Sequence, residues 1–203
     1  MLIVISNPVI IAQEAEYINA LFDEGLECLH LRKPRVRSDE IKKLLDEIDP
    51  INYEGISLHQ HHFLSEEYSI RRLHFPEAIR KEKSDEHFYE LKERGLVLST
   101  SIHDLEDKTK LPCCFNYCLF GPVFDSISKQ GYKSVTGEDF TIPDQHSVKI
   151  IAVGGINENN LTKAQHMGFD GVAVLGSVWN TGIDCVEQFK NLQQIWKQAD
   201  QLH

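Results

Sequence analysis

Short apolar runs recur along the chain, separated by segments with helical spacing. The runs are Leu2–Ser6, Glu27–Arg32, Gly55–His59, Arg72–Phe75, Leu96–Ser101, Phe115–Phe120, Lys149–Val153 and Gly171–Leu175. The clearest helical patterns are Ala12–Glu24, Ser38–Ile48, Ser84–Arg94, Glu158–Met167 and Asp184–Ala199. In the last of these, Val186, Phe189, Leu192 and Trp196 form a one-sided stripe, with Asp184 as the expected N-cap. Ser38 is expected to cap the second helix, with Ile41, Leu44 and Leu45 facing inward. The strands read as continuous rather than alternating, which implies burial on both faces and a parallel sheet covered by helices. Eight strand–helix repeats predict a single (β/α)8 TIM barrel over residues 1–203. That length demands short connections, and His61–Tyr68 is one expected place. A doubly wound open sheet is the competing architecture.

Composition narrows the function classes. The hydrophobic fraction of 41% and charged fraction of 26% fit a globular domain. A net charge of −10, from 31 acidic and 21 basic residues, disfavours nucleic-acid and anionic-membrane partners. It leaves room for a local cationic pocket holding a small phosphate ester. No apolar run reaches a membrane-spanning length, and Met1–Ser6 is too short for a signal-peptide core. The five cysteines, Cys28, Cys113, Cys114, Cys118 and Cys185, lack metal spacing and read as structural thiols, as expected in the cytoplasm. A homodimer is compatible with such a small barrel.

A barrel carries its chemistry at the C-terminal strand ends. There the sequence places His30, Arg32 and Lys33, then His59, Gln60, His61 and His62, then His74, and then Ser101 and His103. Further on come Gly121–Phe124 with Ser126, Ser128 and Lys129, then Gly154 and Gly155, and finally Gly176 and Ser177. Glycines let the backbone approach a phosphate, and phosphate binding after strands seven and eight recurs in this fold. Gly154, Gly155, Gly176 and Ser177 are therefore the expected phosphate loops. Ser126, Ser128 and Lys129 have the spacing to wrap a pyrophosphate. Arg32 reads as a phosphate clamp or as half of an ion pair. The histidines His59, His61, His62 and His74 suggest a metal or an acid/base group, or simple packing. Strand alternation would send His59 and Gln60 to opposite faces.

These residues match a family. Gly121-Pro-Val-Phe-Asp-Ser-Ile-Ser-Lys129 with Gly137, Ile151-Ala-Val-Gly-Gly-Ile156, Phe169-Asp-Gly-Val-Ala-Val174, Ser101-Ile-His103 and Leu29-His-Leu-Arg32 stand in family order and spacing. The chain resembles the thiamine phosphate synthases and their relatives, the thiazole tautomerases. The synthase resemblance implies joining of a thiazole phosphate to a pyrimidine methyl pyrophosphate, with Mg²⁺ and release of pyrophosphate. It implies Arg32, Ser126, Ser128 and Lys129 on the pyrophosphate, Gly155 and Gly176-Ser177 on the thiazole phosphate, and Ser101 beside the pyrimidine. The chain departs from the synthase pattern where it matters for the metal, because Gln60 and Ile79 occupy the two Asp positions. Pro34 replaces a lysine, which leaves Lys33 one residue off. Glu77 is a candidate substitute ligand. His30 is closer to the tautomerase pattern, which implies metal-free isomerisation of a thiazole phosphate carboxylate. That branch's usual histidine is Pro122 here, so His30, His59 or His61 would have to serve. A non-catalytic phosphate-ligand binder is the third expectation.

Overall fold

The computed structural model describes residues 1–125, 140–142, 148–180, 182 and 184–200. Eight parallel strands close into a barrel in sequential order: β1 (Leu2–Ile5), β2 (Cys28–Leu31), β3 (Ile56–Leu58), β4 (Arg72–Phe75), β5 (Val97–Ile102), β6 (Phe115–Phe120), β7 (Lys149–Val153) and β8 (Gly171–Val174). β8 returns to pair with β1 through Leu2↔Val172, Ile3↔Ala173 and Val4↔Val174. The (β/α)8 expectation holds, and the open-sheet alternative is excluded by that closure.

The outer layer comprises α1 (Glu14–Asp23), α2 (Ser38–Glu47), α3 (Leu64–Glu67), α4 (Glu77–Lys81), α5 (Asp85–Glu93), α6 (Leu161–His166), α7 (Gly176–Trp179) and α8 (Cys185–Asp200). The short connection expected at His61–Tyr68 contains α3, a single turn. A 3-10 turn at Leu105–Lys110 stands in for a helix between β5 and β6. Asp184 caps α8 as expected, its carboxylate accepting from the Val186 and Glu187 amides. Ser38 does not cap α2. It is the first helical residue, and the cap is Arg37, whose amide donates to the Glu40 carboxylate. No helix among the described residues is long and apolar enough to cross a membrane.

The core divides into two. Alternate strand residues face the helices in a large outer cluster, including Leu29, Leu31, Leu58, Leu98, Ile150, Val172 and Val174. A smaller cluster fills the barrel lumen with Ile3, Ile5, Cys28, Tyr117, Leu119, Ile151 and Ala173. These lumen hydrophobes lie almost entirely on β1 and β6–β8. Across from them, β2–β5 contribute the buried polar residues His30, Ser57, His74 and Ser99, with His59 just beyond β3.

Candidate active site

A cavity of about 680 Å³ opens at the C-terminal rim, lined by Arg32, His59, Gln60, His74, Glu77, Lys81, Ser101 and His103 against a wall of Ile5, Leu119 and Val153. Each polar residue stands at or just past a strand end or on α4. The cavity therefore gathers Arg32, His59 and Ser101, as the sequence predicts. It also gathers Gln60 beside His59, against the expectation of opposite faces. The reason is local: β3 stops at Leu58, and beyond it the extended alternation no longer holds. His61 takes a left-handed backbone at φ +53° and donates to the Val36 carbonyl at 2.9 Å. His62 donates to the carbonyls of Leu58 and His74, both at 3.1 Å. Neither lines the cavity, which removes His61 as a candidate acid/base group.

Arg32 and Lys33 part company. Ser6 pins the Arg32 backbone, accepting from its amide at 3.0 Å. Among the described residues no carboxylate pairs with the Arg32 guanidinium, and the side chain lines the cavity. Lys33 points away and is 1% exposed. Its ammonium donates to the Glu14 carboxylate at 2.5 and 2.6 Å and to the carbonyls of Asn7 and Val9, both at 2.7 Å. Burial pushes the Glu14 carboxyl up and the Lys33 ammonium down, and each partner opposes the other's shift. Lys33 is a structural cation.

A histidine cluster reaches from the cavity wall, where His59 and His74 stand, to His30 beneath it. His30 Nδ1 and His59 Nε2 share a hydrogen bond of 2.7 Å, and His30 Nε2 lies 2.6 Å from the Tyr117 hydroxyl. His74 meets Ser99 Oγ at 2.9 Å through Nδ1 and Ser101 Oγ at 3.0 Å through Nε2. The His59 and His74 rings stack with centroids 4.0 Å apart. Burial first, and the Arg72 charge second, push the His30 imidazole down to about 3. Burial and the neighbouring imidazoles hold His59 and His74 well below the ordinary range. All three rings are neutral at physiological pH. Sequence reasoning singled out His30, His59 and His74 but missed Tyr117 and Ser99. Their period-two spacing to Leu119 and Ser101 on inward-facing positions was the available signal.

The α4 side supplies Lys81, which the motifs did not flag, next to Glu77 and His103. The Lys81 ammonium pairs with the Glu77 carboxylate one turn earlier and lies 3.7 Å from Asp107. His103 Nε2 approaches Glu77 at 3.7 Å while its Nδ1 donates to the Gly121 carbonyl at 2.7 Å. Ile79, at the second family Asp position, is 41% exposed and lines an outer groove with His62 and Phe75 instead of the cavity. Mg²⁺ requires near-octahedral oxygen coordination. The described cavity wall offers Glu77, already matched by Lys81, and Gln60, whose Oε1 accepts the Lys33 amide at 2.9 Å. These residues do not fit a hard divalent ion.

At the opposite rim, Gly154 and Gly155 follow β7 with φ of +94° and +68°. A Cβ on Gly155 would lie 2.5 Å from the Phe124 carbonyl oxygen, so the position excludes any larger residue. The Gly155 carbonyl accepts from Asn160 Nδ2 at 2.8 Å. α7 begins at Gly176 directly after β8, and the Ser177 hydroxyl is buried with no partner among the described residues. A buried hydroxyl without a partner is costly and is satisfied by an incoming acceptor. Ser126, Ser128, Lys129 and Gly137 lie outside the described residues.

The chain matches the family model described as thiamine monophosphate synthase over residues 1–178. A thiamine-phosphate synthase of Anoxybacillus flavithermus is 30% identical over 108 residues, covering 51% of this chain and 49% of that protein. One from Salinibacter ruber is 42% identical over 65 residues, covering 31% of this chain and 29% of that protein. The chain thus spans about half the length, or less, of these curated relatives. A crystal structure of thiamine phosphate pyrophosphorylase from Bacteroides thetaiotaomicron superposes with a TM-score of 0.74 at 28% identity, covering 100% of this chain and 98% of that one. The thiamine phosphate pyrophosphorylase of Pyrococcus furiosus gives 0.75 at 17% identity over 98% and 96% of the chains, a likeness of fold.

Proposed function

The chain belongs to the thiamine monophosphate synthase family, and from that premise we propose that it joins a thiazole phosphate to a pyrimidine methyl pyrophosphate and releases pyrophosphate. The observation that carries this reading is the two-sided rim. One side has the tight Gly154-Gly155 turn after β7 and, after β8, the Ser177 hydroxyl, which has no partner among the described residues; the other has Arg32 and Lys81 at the cavity edge. The first side suits a phosphate monoester; the second suits a leaving pyrophosphate.

In this reading the thiazole phosphate lies against Gly154, Gly155, Gly176 and Ser177, held by backbone amides and the Ser177 hydroxyl. The pyrophosphate lies toward Arg32, with Ser126, Ser128 and Lys129 assigned to it by motif. Arg32 offers a planar bidentate fork, and Lys81 adds a second cation once the incoming anion competes with Glu77. Breaking the pyrimidine C–O bond places negative charge on the leaving group, and cations fixed there lower the barrier more than they tighten ground-state binding. The thiazole nitrogen then attacks the methylene carbon. Ser101, with one hydroxyl contact committed to His74, is positioned beside the pyrimidine. Mg²⁺ is part of the family's implied chemistry, but the cavity's donor set does not suit it, so charge compensation is assigned to the side-chain cations.

The test is a coupled assay with both substrates, with and without EDTA. Product formation that survives chelation and falls about 100-fold in Arg32→Ala is expected. Absence of product at high enzyme concentration overturns the transferase reading. A second reading, metal-free isomerisation of the thiazole phosphate carboxylate, is supported by His59, a neutral imidazole on the cavity wall backed by His30. Turnover of that carboxylate, lost in His59→Ala, would favour it. Binding without turnover in either assay would favour a phosphate-ligand binder. The absence of nucleic-acid and membrane partners, a homodimer and a cytoplasmic location are proposals drawn from net charge, barrel size and cysteine usage.

A further inference from the structure

We propose that His30, His59 and His74 form a binding site for a borderline transition ion such as Zn²⁺ or Co²⁺, with a fourth coordination position open to the cavity. One ring nitrogen from each of the three residues lies within 4.8 Å of the others, and all three side chains are buried. Three imidazoles with one vacant position is the donor count of open, ligand-accepting zinc sites. It is the opposite of the oxygen-rich set a hard ion requires.

The surroundings have the features such a site needs. A ligating imidazole is oriented by a hydrogen bond to its other nitrogen. His30 has that partner in the Tyr117 hydroxyl at 2.6 Å, which leaves Nδ1 facing His59. His74 has it in Ser99 Oγ at 2.9 Å, which leaves Nε2 on the Ser101 side. Ser57, the register partner of His30 and two residues before His59, keeps a fully buried hydroxyl with no partner among the described residues. An ion-bound water in the lumen would give it one. Access is provided because His59, His74 and Ser101 all line the cavity wall.

Metal–nitrogen bonds of about 2.0–2.1 Å in a tetrahedron set nitrogen–nitrogen separations of about 3.3 Å. The His30–His59 contact of 2.7 Å therefore opens on loading, and Ser101 releases His74. The His59 ring, stacked on His74, must tilt for both to face one ion. No carboxylate joins the three rings among the described residues. The ion thus keeps its double positive charge and prefers an anionic fourth ligand, such as hydroxide or an oxygen of a bound phosphate or carboxylate.

The inference rests on direct ion binding and is independent of the catalytic assignment. The full chain, freed of metal by dialysis against chelator, is titrated with Co²⁺ and followed by visible absorption, then with Zn²⁺ against a chromophoric chelator. One tight equivalent with the intense bands of low-coordinate Co²⁺ is expected, displaced by Zn²⁺. His59→Gln and His30→Gln should each remove the bands. Tyr117→Phe, which keeps the ring volume, should weaken affinity about 10–100-fold. Only weak, pale octahedral Co²⁺ binding, or strong binding unchanged in a folded Tyr117→Phe and a folded His59→Gln protein, would overturn the site.

Discussion

The two halves of the barrel lumen are built from opposite materials. The half from β1 and β6–β8 is apolar, with Ile3, Ile5, Leu119, Ile151 and Ala173 packed inside and the half-buried backbone of Gly154 and Gly155 at the rim. The half from β2–β5 is polar through its depth, with His30, Ser57, His74 and Ser99 buried and Arg32 and Ser101 at the rim. Tyr117 is the hinge between them, apolar in its ring and bonded through its hydroxyl to His30. Under the proposed function, the difference amounts to two ways of handling an anion. The apolar half offers main-chain donors, which no side-chain substitution can supply. The polar half offers charges and neutral imidazoles, which depend on every neighbour being in place.

The sharpest way to break the backbone side is Gly155→Val. The left-handed φ and the 2.5 Å approach to the Phe124 carbonyl both oppose a side chain. Thiazole phosphate affinity should fall at least about 100-fold, with a stability loss of about 2 kcal/mol. Calorimetric titration and urea unfolding would read the two. Unchanged affinity would mean that the phosphate lies elsewhere.

On the polar side, adjacent cations should behave differently. Lys33→Met strands the buried Glu14 carboxylate and should cost about 3–5 kcal/mol in urea unfolding. The protein that remains folded should keep its kcat, because Lys33 never reaches the cavity. Arg32→Ala should instead change stability by less than about 0.5 kcal/mol while reducing kcat/KM about 100-fold. Equal effects on both quantities in the two variants would erase the distinction between structural and site cation.

The pH profile reads the polar half as a whole. An unfolded histidine titrates near about 6.5, whereas His30 in the folded chain is held down to about 3. Below the higher value the unfolded state binds more protons, so stability is complete above it and declines as pH falls toward the lower one. His59 and His74 act in the same direction. Urea midpoints should fall through this window, and His30→Gln should flatten the slope. A wild-type profile flat between about pH 4 and 7 would show that the rings are protonated within the fold.

All eight strands were legible to within a residue or two, because each is a short apolar run bounded by turn residues. β4, β6 and β7 coincide with their sequence runs. The glycine rim was also legible, since Gly154 and Gly155 directly follow a strand. Elsewhere local rules gave out. Alternation misassigned Gln60 because β3 ends one residue before His59. Ser38 looked like a cap, but the chain enters its helix one residue sooner than that requires. Lys81 went unnoticed because nothing in the five residues of α4 distinguishes a cavity-facing lysine from a solvated one.

By itself the sequence determined the barrel, its strand order and the rim that carries the chemistry. Those follow from periodicity and from the fixed handedness of β–α–β connections. Only the tertiary structure decided which of two adjacent cations faces the cavity, and which histidines meet. Closure brings β2, β4 and the end of β3 around one axis, so residues 29 positions apart share a 2.7 Å hydrogen bond. Lys33 is turned away by Glu14, a helix residue 19 positions earlier. Contacts of that kind depend on distances across the closed barrel, which spacing along the chain does not encode.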